Sequence, residues 1–238
     1  MTEYNYSNFS SDDYDFTRSH GPAVGDKAPD FDLETADGTR RRLLDFTGEL
    51  LILELGSITC PLFQSRRGIM SDLGADSDTV DSVILYVREA HPGAAIPAHG
   101  SIEDKRSCVR RLIDEDGERR TVLVDGIDGA AHAAFGGLPN AVFIINRNGC
   151  VLYRADWNNP AATRKALADL LADRPVRAKS YFRPARPTVA ARTLRRAGPG
   201  SALDFFKSLP SLVWNNLIRR NLRTLLGRPQ TVSRDLTC

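Results

Sequence analysis

One cysteine stands where the sequence best suits thiol chemistry. Cys60 comes shortly after the apolar run of residues 50–57 and directly before Pro61, a residue favoured in the first turn of a helix. A cysteine between a buried strand and a helix lies at the helix N-terminus, where unpaired N–H groups and the helix dipole stabilise a thiolate. The thiolate is the nucleophilic form, so the position predicts a reactive Cys60 rather than a buried apolar one.

Two histidines could carry protons near this thiol. His91 follows a predicted strand at residues 82–87, and His99 comes shortly before Ser101, which begins a predicted helix. Both are expected at the sheet edge that holds Cys60, and histidine is the usual proton carrier near neutral pH. Surface or capping roles for both histidines remain open at this point.

The elements that would position these residues alternate between strands and helices. The pattern indicates a β-hairpin, a strand–helix–strand unit, a helix, a strand, a second β-hairpin and a final helix. Such alternation implies a parallel sheet core, to which the second hairpin adds an antiparallel strand. We therefore predict an α/β thioredoxin-like fold with a mixed central sheet and helices on both faces. In such a fold, Pro139 would be a cis-proline beside the thiol.

The chain divides into three predicted parts. Residues 1–22 are polar without a period and are expected to form a disordered arm. Residues 23–173 are expected to form the thioredoxin-like domain. Residues 174–238 hold 14 Lys/Arg but two acidic residues, and are expected to form a basic linker followed by an amphipathic helix near 210–226.

Two interpretations of the basic helix remain open. An amphipathic basic helix over residues 202–227 could bind a membrane surface or a partner. It could equally pack its apolar face against the domain. No nucleic-acid partner is expected, because no aromatic platform accompanies the arginines. A homodimer is considered possible.

The cysteine pattern and the N-terminus indicate a location. The four cysteines form no CxxC pair and no zinc-ligand spacing, so we expect neither a disulfide framework nor a metal site. A reducing compartment, and hence a cytoplasmic protein, is predicted, with peripheral membrane association possible. No signal peptide or membrane-spanning run is expected. Cys150 is assigned no role, whereas Cys108 could resolve an oxidised Cys60.

Several stretches in order resemble the iodothyronine deiodinase family, over about residues 24–172. Residues 56–61 look like its active-site stretch, with Cys60 in the selenocysteine position. Residues 86–91 and 96–104 are similar to its two histidine-containing segments. Leu138-Pro139 and residues 157–160 match its last third.

The resemblance implies a thioredoxin fold and reductive chemistry in which Cys60 attacks a halogen of a halogenated phenol. It implies proton transfer by three residues, which are His91, His99 and Glu89. It also implies a set of residues that bind substrate or hydrogen-bond near the thiol, which are Ser57, Thr59 and Tyr86, with Pro139 beside them. No bound cofactor is implied, and a thiol reductant or a redoxin would regenerate the enzyme.

Some residues depart from the family pattern. Ile58 replaces a second cysteine that many members carry, and Asn140 stands where an arginine is expected to hold the hormone's carboxylate. The start of the domain, VGDKAPDF, also resembles peroxiredoxin-like proteins. A thiol peroxidase or a general thiol–disulfide oxidoreductase with peroxide as substrate is therefore the alternative function.

Overall fold

The computed structural model describes residues 4–75 and 78–238, and a seven-stranded mixed sheet forms the centre of this part of the chain. The strands are β1 Asp32–Glu34, β2 Arg40–Arg42, β3 Leu50–Gly56, β4 Val80–Tyr86, β5 Thr121–Val124, β6 Val142–Asn146 and β7 Val151–Ala155. Their spatial order is β2-β1-β5-β4-β3-β6-β7. The helices are α1 Pro61–Ser71, α2 Ile102–Asp114, α3 Ala130–Ala134, α4 Pro160–Leu171, α5 Pro187–Ala197, α6 Ser201–Leu212 and α7 Asn221–Leu226.

Strand β3 is buried along its whole length. It pairs in parallel with β4 and antiparallel with β6, and all seven of its residues are buried. Burial on both faces is the reason that this strand reads as a continuous apolar run rather than an alternating one. Since β4 and β5 are also parallel and β6 and β7 antiparallel, the mixed thioredoxin-like sheet predicted from the sequence is confirmed.

The strand ends place the candidate residues together. Strand β3 ends at Gly56 and α1 begins at Pro61, so Cys60 is the residue that precedes the first helical turn. Strand β4 ends at Tyr86, and the segment after it holds His91. The side chains of Ser101 and Asp104 form a capping box at the start of α2, as predicted. The described chain contains no cis peptide bond, so the expected cis-proline is not found and Pro139 is trans.

The N-terminal arm is folded, contrary to the prediction that residues 1–22 are disordered; residues 1–3 lie outside the described residues. Phe9, Tyr14 and Phe16 are buried together with Leu138 and Trp157. The burial of large aromatic side chains compensates for the loss of chain entropy that a polar segment alone would not offset.

The basic segment after α4 is also more ordered than predicted. Helix α5 occupies part of the stretch assigned to a linker, and it packs against α1. Helix α6, the π-helical residues Val213–Arg220 and α7 continue into one another, and we call residues 201–226 the C-terminal helix. It therefore begins earlier than the predicted helix of residues 210–226, and it contains Pro210.

A disulfide bond links Cys150 to Cys238, 88 residues apart in the sequence. The expectation that the chain has no structural disulfide, and that Cys150 has no role, is therefore wrong. The pairing of these two cysteines could not be predicted, because sequence spacing does not show that the C-terminus lies beside the turn before β7. A structural disulfide is typical of oxidising compartments, which counts against the reducing compartment inferred from the cysteine pattern.

We expect this disulfide to stabilise the fold. Opening a loop of this length increases the entropy of the unfolded chain, so Cys238→Ser should lower the free energy of unfolding by roughly 2–4 kcal/mol. Urea denaturation with and without dithiothreitol measures the change. The reductant should lower the free energy of unfolding of the wild type to that of the variant, and it should leave the value for the variant unchanged. Equal stability of both proteins without reductant would contradict the prediction.

Candidate functional site

A small, partly open cavity of about 180 Å³ lies over the N-terminus of α1, with Cys60 and Pro139 in its wall. The N-terminal arm contributes Phe9, Tyr14 and Phe16 to the wall. The segment after α4 and the C-terminal helix cover the rest, with Phe182, Phe205, Leu209, Leu212, Val213, Asn216 and Leu217. The described side chains that line the cavity include no lysine, arginine, aspartate or glutamate. The cavity can therefore hold a small apolar molecule against the sulfur of Cys60.

The Cys60 thiol is almost completely removed from solvent, with 2% of the residue exposed. Burial raises its pKa to about 11, although the backbone N–H groups of Phe63 and Leu62 and the charge of Arg66 act in the opposite direction. The helix N-terminus thus acts as predicted, but the apolar surroundings outweigh it. In this buried position, Cys60 carries its proton at neutral pH.

A buried polar network supports the base of α1. The guanidinium of Arg66 donates hydrogen bonds to Asn140 Oδ1 and to the carbonyl oxygen of Arg183, each at 2.5 Å. Asn140 in turn donates to Glu54, which is also paired with Arg120 at 2.8 Å. Burial lowers the pKa of Arg66 to about 10, which leaves it charged at neutral pH. The charge of Arg66 lowers the pKa of the Cys60 thiol. The position of Arg66 in the sequence of α1 did not indicate this effect.

The predicted site residues divide into two groups. Cys60, His91 and Pro139 line the cavity. The other predicted residues, Ser57, Thr59, Tyr86, Glu89 and His99, are buried behind the Cys60 loop and do not line the cavity. The structure thus brings all eight predicted residues into one region and places three of them where a ligand could touch them.

Glu89 is the centre of the buried group. Its carboxylate accepts hydrogen bonds from the backbone N–H of Thr59 at 3.0 Å, from the Thr59 hydroxyl at 2.5 Å and from the Tyr86 hydroxyl. His99 Nε2 lies 3.2 Å from Glu89 Oε1. Burial alone would raise the pKa of Glu89, but these partners outweigh it and lower the pKa. Glu89 is therefore ionised at neutral pH and fixes the loop that presents Cys60.

Ser57 and Thr59 also hold backbone groups. Ser57 Oγ accepts a hydrogen bond from the N–H of Ala90 at 3.1 Å, and Thr59 Oγ1 accepts one from the N–H of His91 at 3.2 Å. These bonds tie the segment after β4 to the loop before α1. The hydroxyls are thus engaged away from the cavity, and their geometry supports a positioning role rather than direct contact with a ligand.

Three atoms behind the site could bind a metal ion. Glu89, His99 and Cys108 each offer one ligand atom, and these atoms lie within 4.8 Å of one another. A carboxylate, an imidazole and a thiolate are ligands that zinc accepts. Both Glu89 oxygens already accept hydrogen bonds, and we keep the prediction that this site works without metal.

Of the three residues expected to transfer protons, His91 is the one that faces the cavity. Its ring lies against Phe9 and Phe205, with ring centres 4.1 and 5.4 Å away, and its Nδ1 has no hydrogen-bond partner in the described residues. Burial lowers the pKa of His91 to about 3, so the ring is neutral at physiological pH. A neutral imidazole with a free ring nitrogen can accept a proton at one nitrogen and release one at the other.

Aromatic residues of the N-terminal arm line the cavity, which was not predicted from the sequence. A signal for it existed, because five of the first 16 residues are aromatic, which disordered segments rarely contain. Arg88 adds to the anchoring of the arm, with its guanidinium 4.5 Å from the ring centre of Tyr6 and 4.9 Å from that of Tyr14. These contacts hold the arm in the cavity wall beside the C-terminal helix, where the Ser11 N–H donates to Ser208 Oγ at 3.2 Å.

The raised pKa of Cys60 predicts slow alkylation in the folded protein. Because little thiolate exists at pH 7, iodoacetamide should modify Cys60 at least roughly 100-fold more slowly than a free cysteine of pKa about 8.5. The rate, followed by peptide mass spectrometry, should rise about tenfold for each pH unit up to pH 10 or so. The Cys60→Ser variant reports the contribution of Cys108. A rate that becomes constant below pH 8 would contradict the prediction.

Comparison with known proteins agrees with this geometry. A family model described as iodothyronine deiodinase matches residues 9–163. A thyroxine 5-deiodinase from Gallus gallus is 33% identical over 135 residues, which cover 51% of this chain and 52% of the relative. The thyroxine 5-deiodinase from Homo sapiens is 27% identical over 143 residues, or 55% of this chain and 46% of the relative. The chain spans about half the length of these curated relatives.

Solved structures show the same fold at low sequence identity. A hypothetical protein from Sinorhizobium meliloti superposes with a TM-score of 0.55 and 19% identity, covering 66% of this chain and 89% of that one. A candidate thiol:disulfide interchange protein from Chlorobium tepidum gives 0.50 and 24%, covering 64% and 98%. The fold is therefore thioredoxin-like. Since the family model covers more than half of the chain, including Cys60, His91 and the buried Glu89 group, this protein belongs to the iodothyronine deiodinase family.

Proposed function

We propose that the protein is a thiol-dependent oxidoreductase that removes a halogen reductively from a small halogenated phenol. The observation that supports this most strongly is the position of Cys60 in the wall of an apolar cavity beside His91. The family membership supports the same chemistry. An apolar cavity of this size suits an aromatic ring with a halogen substituent, because both parts are poorly hydrated.

The first step uses the proton that Cys60 already carries. The sulfur attacks the halogen, a sulfur–halogen bond forms, and the carbon–halogen bond breaks. The thiol proton moves to the ring carbon, with His91 as the carrier. The products are the dehalogenated phenol and a sulfenyl halide on Cys60, so the atoms balance and the sulfur is oxidised as the substrate is reduced.

Two molecules of a reducing thiol complete the cycle. The first attacks the sulfenyl halide, releases halide and a proton, and forms a mixed disulfide with Cys60. The second attacks the mixed disulfide, which releases an oxidised disulfide and restores the Cys60 thiol. We assign this role to an external thiol or redoxin, because Cys108 lies beside Glu89 and His99 and does not line the cavity.

The geometry gives less support to the alternative of a peroxidase. The Thr59 hydroxyl, which precedes the thiol, donates to Glu89 and does not face the cavity. The cavity wall offers hydrogen peroxide few polar partners. Besides His91, Asn216 and the hydroxyl of Tyr14, its side chains are apolar or aromatic.

We expect halide release to depend on Cys60 and His91. With dithiothreitol and a panel of iodinated and brominated phenols, Cys60→Ser should abolish turnover because the attacking atom is lost. His91→Ala should lower kcat by roughly 10²–10⁴-fold because the proton carrier is lost. Halide electrodes or chromatography of the phenol measure the reaction, and hydrogen peroxide is assayed in parallel.

Two controls separate chemistry from packing. His91→Phe keeps an aromatic ring between Phe9 and Phe205 but carries no proton, and it should be as slow as His91→Ala. Phe205→Leu changes the same wall without removing a proton carrier and should retain most of kcat. Peroxide turnover without halide release would replace the proposal with the peroxidase, and a loss below about threefold in His91→Phe would remove its proposed role.

The uncharged wall predicts selection against acidic substrates. A carboxylate placed in this cavity would have no described cation to pair with, and burying an unpaired charge costs several kcal/mol. A halogenated phenol should therefore have a kcat/KM at least about 100-fold higher than the same phenol carrying a carboxylate. Competition between the two compounds in one assay measures the ratio. Equal values would show that a charged group reaches solvent or an unrecognised partner.

A further inference from the structure

Most of the large apolar side chains exposed in the described structure lie on one element, the C-terminal helix. The most exposed of them are three or four residues apart, except between Phe206 and Trp214, as on one side of a helix. The set comprises Leu203, Phe206, Trp214, Ile218, Leu222 and Leu225, with exposed fractions between 48% and 62%. Leu226, at the end of the same helix, is 75% exposed. An apolar surface of this length on one helix is typical of an interaction site.

The other side of the helix is already occupied. Asn216 accepts a hydrogen bond from Trp157 Nε1 at 2.8 Å, and Asn221 exchanges hydrogen bonds with the backbone of Phe182. Phe205 faces His91 in the cavity wall. The two sequence-based interpretations are therefore not exclusive, since the helix packs on the domain by one face and leaves a second apolar face uncovered.

Charge beside the exposed face favours one kind of partner. The chain from residue 174 onwards carries 14 Lys/Arg and two acidic residues. Several of these basic residues are in ion pairs, among them Lys207 with Asp204 and Arg220 with Asp156. Arg219 and Arg228 are exposed and have no ion-pair partner in the described residues. Leu, Phe and Trp on one face with Lys and Arg beside them are the composition of helices that lie in the surface of anionic membranes. No described helix is long and apolar enough to cross a bilayer.

A second copy of the chain fits this face less well. A symmetric dimer through the helix would bring the same surface of both copies together, and with it the two sets of arginines. Like charges facing each other would oppose such a contact, whereas anionic lipid headgroups would neutralise them.

We propose that the exposed face of the C-terminal helix binds the surface of an anionic lipid bilayer, with the helix lying in the plane of the membrane. The cavity adjoins this face, because Leu209, Val213 and Leu217 line the cavity and are also 36–40% exposed. Membrane binding would thus place the entrance to the cavity at the lipid surface, where apolar aromatic compounds concentrate. This inference rests on the helix surface and stands apart from the chemistry proposed for Cys60.

Vesicle sedimentation with the full chain tests the proposal. Phosphatidylcholine vesicles containing phosphatidylserine should bind the wild type, and pure phosphatidylcholine vesicles should bind it more weakly. Ile218→Glu and Leu222→Glu lie outside the cavity wall and should each reduce the bound fraction at least about tenfold. Leu171→Glu, at a leucine that is 42% exposed on α4, is the matched control and should bind as the wild type does.

Tryptophan fluorescence gives an independent measurement. The chain has two tryptophans, of which Trp214 is 59% exposed and Trp157 is buried. Anionic vesicles should shift the emission of the wild type to shorter wavelength, and the shift should be absent in Trp214→Phe. Circular dichroism checks that each variant is folded.

Three results would overturn the proposal. The first is no binding of the wild type to either kind of vesicle. The second is equal binding by Ile218→Glu and the wild type. The third is that the wild type forms a dimer in solution and does not bind vesicles, and that Ile218→Glu dissociates the dimer. That result would assign the face to a second copy of the chain. Halide release is measured separately, so failure here leaves the proposed chemistry of Cys60 untouched.

Discussion

The exclusion of water from the Cys60 thiol is the constraint on which the rest of the structure depends. A helix N-terminus and a nearby arginine both favour the thiolate, yet burial outweighs them and raises the pKa to about 11. A sulfur in this state is a poor nucleophile toward solutes in bulk solution. It is suited instead to a reaction in which its proton and its electron pair are both delivered to one bound molecule.

The polar groups around the site keep this apolar cavity in place. Glu89 holds the loop before α1 through Thr59, the Tyr86 hydroxyl donates to its other oxygen, and His99 Nε2 lies 3.2 Å from that oxygen. Arg66 fixes the base of the helix through Asn140. Each buried charge has partners, which avoids the cost of an unpaired ion and makes the arrangement rigid. The carboxylate and the guanidinium therefore support the site without entering the cavity.

The sequence predicted the elements of the sheet and the position of Cys60 before α1 well, because both depend on short-range patterns. The continuous apolar run of β3, the proline after Cys60 and the capping box at Ser101 each report their own local structure. The disulfide of Cys150 and the aromatic arm were not predicted, since both depend on contacts between distant parts of the chain. Likewise, the sequence predicted an amphipathic C-terminal helix, but it could not show that one side of this helix covers the cavity.

Analysis of a single turnover without reductant tests the central claim most directly. One equivalent of a halogenated phenol is added to the protein, and the phenol product and the state of Cys60 are followed together by mass spectrometry. The account predicts one dehalogenated phenol per protein and a matching oxidation of Cys60, which dimedone traps after water replaces the halide on sulfur. Dehalogenated product formed while Cys60 remains a free thiol would contradict the account.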